Sequence, residues 1–159
     1  MKPMNAVIFT TALLAAAFAT PAALAHADQV PDTRKAPNGG QLRVSGAYHL
    51  ELVVARDSKE AKDNPVVVYV TDHAGTKVST VGAGGTATLL GGKAKASVTL
   101  APDGDNRMKG VGKYASTPDL KAVVSITVAG KPAEQARFTP LAPMTTPAAA
   151  KDGHTDHKH

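Results

Sequence analysis

The chain has 159 residues, with 18 Lys and Arg against 13 Asp and Glu for a formal net charge of +5, and it has no cysteine. Without cysteine, disulfides, thiolate metal sites and cysteine nucleophiles are all excluded. The positive excess is mild and dispersed, with no basic stripe and no stacking aromatics, which argues against a nucleic-acid partner.

Residues 1–25 read as a secretory signal: Lys2 supplies the basic start, an apolar run covers 6–18, and Ala23-Leu24-Ala25 is a small-residue exit. Ala25-His26-Ala27 offers a second exit, so the processed chain is expected to begin at His26 or Asp28. The apolar run is short for a membrane span and no later stretch is suited to one, so no membrane insertion is expected after signal removal. Losing the leader removes Lys2 alone from the 18 cationic residues, leaving 17 against 13, a net of +4. About 130 residues then remain, enough for one domain. Residues 26–37 are polar with two prolines and are expected to form a flexible lead-in.

The domain is expected over residues 38–140. Asn38-Gly39-Gly40 makes a turn, after which Leu42 and Val44 alternate with Gln41, Arg43 and Ser45 as a first strand. In the next strand, Tyr48 to Ala55, the period of two puts Tyr48, Leu50, Leu52 and Val54 on one face and His49 with Glu51 on the other. The charged stretch 56–64 reads as a solvated loop. Pro65-Val66-Val67-Val68-Tyr69-Val70-Thr71, apolar on both faces and β-branched, suits a central strand. Asp72-His73-Ala74-Gly75 favours a tight turn, and Val78 with Val81 suggests a short strand beyond it.

Gly82-Ala83-Gly84-Gly85 interrupts the pattern, residues 86–90 form another strand, and 94–100 alternate with Ala94, Ala96, Val98 and Leu100 inward. Pro102-Asp103-Gly104-Asp105-Asn106 is the strongest turn signal. Met108, Gly110, Gly112 and Tyr114 share one face of a following strand, whose glycines suggest a kink or bulge. Val124, Ile126 and Val128 mark the next strand, and Ala136 with Phe138 the last. Eight or nine short antiparallel strands with frequent turns and no helix outside the leader predict an all-β sandwich, immunoglobulin-like in style, or a partly open barrel. Residues 141–159, rich in Pro, Ala and Thr and ending in a His-rich run, lack the apolar surface to fold alone and are expected to be a disordered tail.

Two groups of residues are candidates for chemistry. His154, His157 and His159 stand in the last six residues beside Asp152 and Asp156, and short His-rich tracts capture transition metals by wrapping imidazoles around them. A hydrophilic terminus without a role, or an expression remnant, accounts for the same residues. Capture there weakens on acidification, because a ligating imidazole must be neutral and its ordinary pKa is about 6.5. The second group is His49 and Glu51 with Asp72 and His73, a borderline-to-hard donor set if the four converge; otherwise they are a solvated strand face and an ordinary turn. Met108 offers a thioether for copper(I) or silver, but its inward phase favours core packing. No nucleophile elbow, metalloprotease motif or phosphate loop is present, so no enzymatic activity is expected.

Ala36-Pro37-Asn38-Gly39-Gly40-Gln41, Tyr48-His49-Leu50-Glu51-Leu52-Val53, Tyr69-Val70-Thr71-Asp72-His73 and Ala136-Arg137-Phe138-Thr139-Pro140 together resemble small exported bacterial proteins associated with heavy-metal efflux systems. They are also similar to a module of some periplasmic efflux adaptor subunits. The likeness spans roughly residues 36–140. It departs from the family pattern at Asn38, where His is frequent, which leaves His49, Glu51 and His73 as the positions that carry over. The resemblance implies a periplasmic accessory protein that buffers or hands over a transition-metal ion, copper or zinc foremost, with nickel, cobalt or silver also within its range. The partner it implies is an efflux adaptor subunit or another periplasmic metal carrier. The rival expectation is a structural or protein-interaction β module with no metal role.

Overall fold

The computed structural model describes residues 36–143. The expected signal, most of the lead-in and the tail from residue 144 lie outside the described residues. Among those described, eight strands appear and no helix: β1 (Gln41–Ser45), β2 (Tyr48–Val54), β3 (Lys62–Thr71), β4 (Gly84–Gly91), β5 (Ala94–Pro102), β6 (Arg107–Tyr114), β7 (Lys121–Thr127) and β8 (Ala133–Phe138). All pairings are antiparallel, in the order β1-β2-β3-β6-β5-β4-β7-β8. The single sheet doubles over into two layers around one core and nearly closes where β1 meets β8.

The period of two accounts for the core. Leu50, Leu52, Val66, Val68, Val70, Met108, Val124 and Ala136 are buried with Leu89, Val98, Leu100, Ile126 and Phe138. Met108 is thus a core residue, as its phase indicated. β6 reaches its neighbour closely because of its glycines: a Cβ on Gly110 would collide with the Thr99 carbonyl and the Val98 side chain. The glycines of β6, expected to mark a kink or bulge, serve here a close approach of two backbones.

In β1 the polar residues face the inner side, because Gln41, Arg43 and Ser45 pair with Leu52, Leu50 and Tyr48. That side faces the seam with β8, where Ser45 Oγ donates to the Gln135 carbonyl at 2.9 Å. The Gln41 amide oxygen accepts from Thr139 N at 2.7 Å, and its Nε2 lies 3.4 Å from Thr139 Oγ1. Arg43 donates to the Leu42 carbonyl at 2.9 Å, and partial burial lowers its pKa.

The stretch 56–64 is not simply solvated. Ser58 and Asn64 are buried, with Asn64 Nδ2 donating to Ser58 Oγ at 2.8 Å and to the Tyr114 carbonyl at 2.7 Å. Tyr114 also accepts from Ala55 N at 3.0 Å and donates to the Pro65 carbonyl. Finally, Val78 and Val81 do not make a strand: only an isolated bridge, Thr71 to Lys77, follows the turn, and Val81 is 74% exposed.

The β5–β6 contact yields a test. Gly110→Ala must push two backbones apart, an overpacking cost of about 1–3 kcal/mol. Gly84→Ala meets nothing within 4 Å and should be close to neutral. Urea unfolding of the two variants checks this, and equal midpoints would contradict the close approach.

Candidate metal centre

The site lies on the outer face of β2. Register sets Leu42 opposite Glu51 and Val44 opposite His49 on one side, and Tyr69 opposite Glu51 and Thr71 opposite His49 on the other. This face is not solvated: His49 is 4% exposed and Glu51 2%. Both line an open cleft of about 150 Å³ with Pro37, Asn38, Leu42 and Tyr69.

Glu51 is a buried carboxylate held by N–H donors. Oε1 accepts from Asn38 N at 2.8 Å and Gly40 N at 2.9 Å, and Oε2 accepts from Asn38 Nδ2 at 2.9 Å. The turn can close on the carboxylate because residue 40 is glycine; a Cβ there would strike the Leu52 carbonyl. With both oxygens committed to the turn, Glu51 is a structural anion rather than a donor aimed at the imidazoles.

Asp72 is likewise occupied. Its Oδ1 accepts from Ala74 N at 2.9 Å and Thr76 N at 2.8 Å, while Gly75 N donates to its carbonyl at 3.0 Å. These bonds, with that from Thr76 the largest cause, hold its carboxyl below the ordinary aspartate range. Asp72 therefore shapes the turn that carries His73.

The two imidazoles do meet. His73 Nδ1 lies 3.2 Å from His49 Nε2, with ring centroids 4.9 Å apart and planes at 90°. His73 Nε2 lies 3.0 Å from the Gly46 carbonyl. A carbonyl can only accept, so Nε2 carries the proton and, in the neutral ring, Nδ1 presents its lone pair toward His49. The arrangement can do one of two things. His49 Nε2 can donate to His73 Nδ1, or both nitrogens can turn lone pairs on one ion. Two nitrogens bound at 2.0–2.1 Å to a single tetrahedral or slightly compressed centre stand roughly 3.1–3.4 Å apart, which spans the observed separation.

Of the expected donors, the fold thus brings His49 and His73 together and assigns Glu51 and Asp72 to turns. His154, His157 and His159 lie outside the described residues. Among the described residues no group of three or more His, Cys, Asp or Glu side chains could hold a metal ion. Sequence reasoning missed Asn38, which meets Glu51 through both backbone and side chain; its position in a Pro-Asn-Gly-Gly turn was visible, its partner was not. No helix among the described residues is long and apolar enough to cross a membrane.

Comparison with protein-family models, curated proteins and solved structures finds no match. The likeness to efflux-associated proteins therefore rests on the motifs alone.

Two outcomes test the assigned roles. Glu51→Ala strips the turn of its acceptor and should cost about 1–3 kcal/mol in metal-free protein, with faster amide exchange at Asn38 and Gly40; unchanged stability would return Glu51 to the list of open donors. For Asp72, a depressed folded pKa means its stabilisation is present above the ordinary value of about 3.9 and fades as pH falls through the lower folded value. A carboxyl-carbon NMR titration should place the Asp72 midpoint below that value, and Asp72→Ala should abolish the acid-side change in the Thr76 amide.

Proposed function

We propose that this protein is an exported, periplasmic metal-binding accessory protein, without enzymatic activity, that takes up a transition-metal ion through His49 and His73. The carrying observation is the facing of His49 Nε2 and His73 Nδ1 at 3.2 Å, with the far nitrogen of His73 on the Gly46 carbonyl. Metal-bound histidines characteristically donate their second N–H to a carbonyl or carboxylate, which sets the tautomer and aims the ligating nitrogen. Imidazole pairs suit copper, zinc and nickel. In the setting the motif resemblance implies, such a protein buffers an ion or hands it to an efflux adaptor or another periplasmic carrier.

The competing reading, a β module for structure or protein interaction, is favoured by the hydrogen bonding that occupies Glu51 and Asp72. The two readings part in a titration of purified protein with Cu(II), Zn(II) and Ni(II). His49→Ala and His73→Ala should each weaken binding by more than the roughly 10–100-fold that follows loss of a supporting partner. Affinities untouched by either substitution would leave the interaction module as the better account.

A further inference from the structure

The β1–β8 seam nearly closes the sheet on one side, whereas β5 and β6 part on another. They pair only at Ala101–Lys109 and Pro102–Met108. Beyond that point, among the described residues, β5 pairs with β4 alone over residues 94–100 and β6 with β3 alone over residues 110–114. Each strand is left with a backbone edge. Asp103 N donates to the Arg107 carbonyl at 2.8 Å, so the antiparallel alternation turns the N–H and C=O groups of the odd residues of both strands toward the gap. Thr99 is taken up by the close approach to Gly110. Past it stand Lys95 and Ser97 on β5 and Val111 and Lys113 on β6, all with exposed side chains.

Where the strands part, the gap deepens into a cleft of about 180 Å³ lined by Leu89, Gly91, Ala94, Ala96, Tyr114 and Thr117. That is room for one branched or aromatic side chain, since an apolar space of about 150 Å³ takes up benzene. A strand laid on the β5 edge would alternate its side chains in step with those of β5. Those level with Ala94 and Ala96 enter the cleft. Those level with Lys95 and Ser97 lie on the outer face, beside Lys95 and, across Leu90, Lys121. Lys93, exposed in the β4–β5 turn, adds a third cation. Of the carboxylates at this end, Asp119 accepts from Gly92 N at 3.0 Å and Asp63 stands opposite Lys113 on β3. Lysine on an open edge guards against self-pairing. A second copy would bring the same lysines; an acidic strand would answer them.

We infer that the β5 edge is a docking site for an extended segment of a partner protein in which acidic and apolar residues alternate. The segment pairs with the backbone of Lys95 and Ser97, seats an apolar side chain in the cleft beside Ala96, and sets its carboxylates against Lys95 and Lys121. Main-chain bonds then supply affinity and the alternating surroundings supply selectivity, as in strand addition to other sheets. No residue of the imidazole site takes part.

The probe is a blocked peptide, Asp-Val-Asp-Leu-Asp-Val-Asp, beside a counterpart with Lys for Asp, each titrated into the whole protein and followed by amide NMR. The acidic peptide should bind, shift the Lys95 and Ser97 amides and slow their exchange; the basic one should not. Ser97→Pro removes an outward N–H at a position where an edge strand tolerates proline, so the thermal midpoint should hold while affinity falls at least about tenfold. Ala96→Phe fills the cleft and should cost at least about as much affinity, and Lys95→Glu should weaken binding about two- to fivefold. Binding of neither peptide, equal binding of both, or an affinity that none of the three substitutions lowers would overturn the inference. Dimerisation of the protein alone that Ser97→Pro abolishes would give the edge to a second copy and overturn the acidic partner. H49A/H73A should leave peptide binding unaltered, which keeps this inference separate from the metal role.

Discussion

The outer face of the sheet depends on one buried anion. Glu51 is 2% exposed, and an ionised carboxylate placed there without partners would cost several kcal/mol. It accepts instead from Asn38 N, Gly40 N and Asn38 Nδ2, and hydrogen bonds to a charged group contribute about 1.5–3 kcal/mol each. The same three bonds hold the lead-in turn against β2. β1 begins at the end of that turn and lays Leu42 beside the carboxylate. The carboxylate and the first strand therefore stabilise one another, and His49, two residues from Glu51 on the same face, is covered by the structure they make.

Closure of the sheet follows a similar logic of polar groups put to use. The inward residues of β1 look misplaced beside the apolar face of β2, yet they stand where β8 arrives. Ser45 and Gln41 bond to Gln135 and Thr139 across the seam. Two strand edges that would otherwise invite another chain are thereby turned toward each other. The β1–β2 connection is also tied from the opposite side, because His73 Nε2 meets the Gly46 carbonyl. His73 is held by the hairpin that the seam steadies, so its ring position is set by more than its own turn.

Much of this was legible in the residues. Strand periodicity separated His49 and Glu51 from the core face, and Asp72-His73-Ala74-Gly75 announced its turn; both are local properties. What escaped depends on partners far along the chain. The burial of Ser58 comes from Asn64, Ser116 and Tyr114, whose contacts span up to 58 residues, and no local pattern distinguishes that serine from a solvated one. Which face of β1 turns inward follows from the β1–β2 register and from β8 lying beside it, neither of which is local. Glu51 read as a donor because a carboxylate beside an imidazole is a ligand pattern, whereas its real partner precedes it by 13 residues. The convergence of His49 with His73 was open for the same reason: it needs the β2–β3 register, in which His49 faces Thr71.

That register bears on how the imidazole pair would act. Two histidines on an exposed strand and a mobile loop would each lose rotamer freedom on meeting an ion, at about 0.5–1.5 kcal/mol per ordered side chain. Here the ordering belongs to folding. Burial confines His49, the Asp72 turn and the Gly46 carbonyl aim His73, and the contact between the rings sets their spacing at 3.2 Å. An ion entering between them would replace one neutral hydrogen bond, worth about 1 kcal/mol net, and require little rearrangement of the sheet. By engaging Glu51 and Asp72 in turns, the fold commits to backbone and amide N–H groups the carboxylate oxygens that hard cations would take. What it leaves facing each other is a pair of imidazole nitrogens, the donor type that borderline transition ions favour over hard cations.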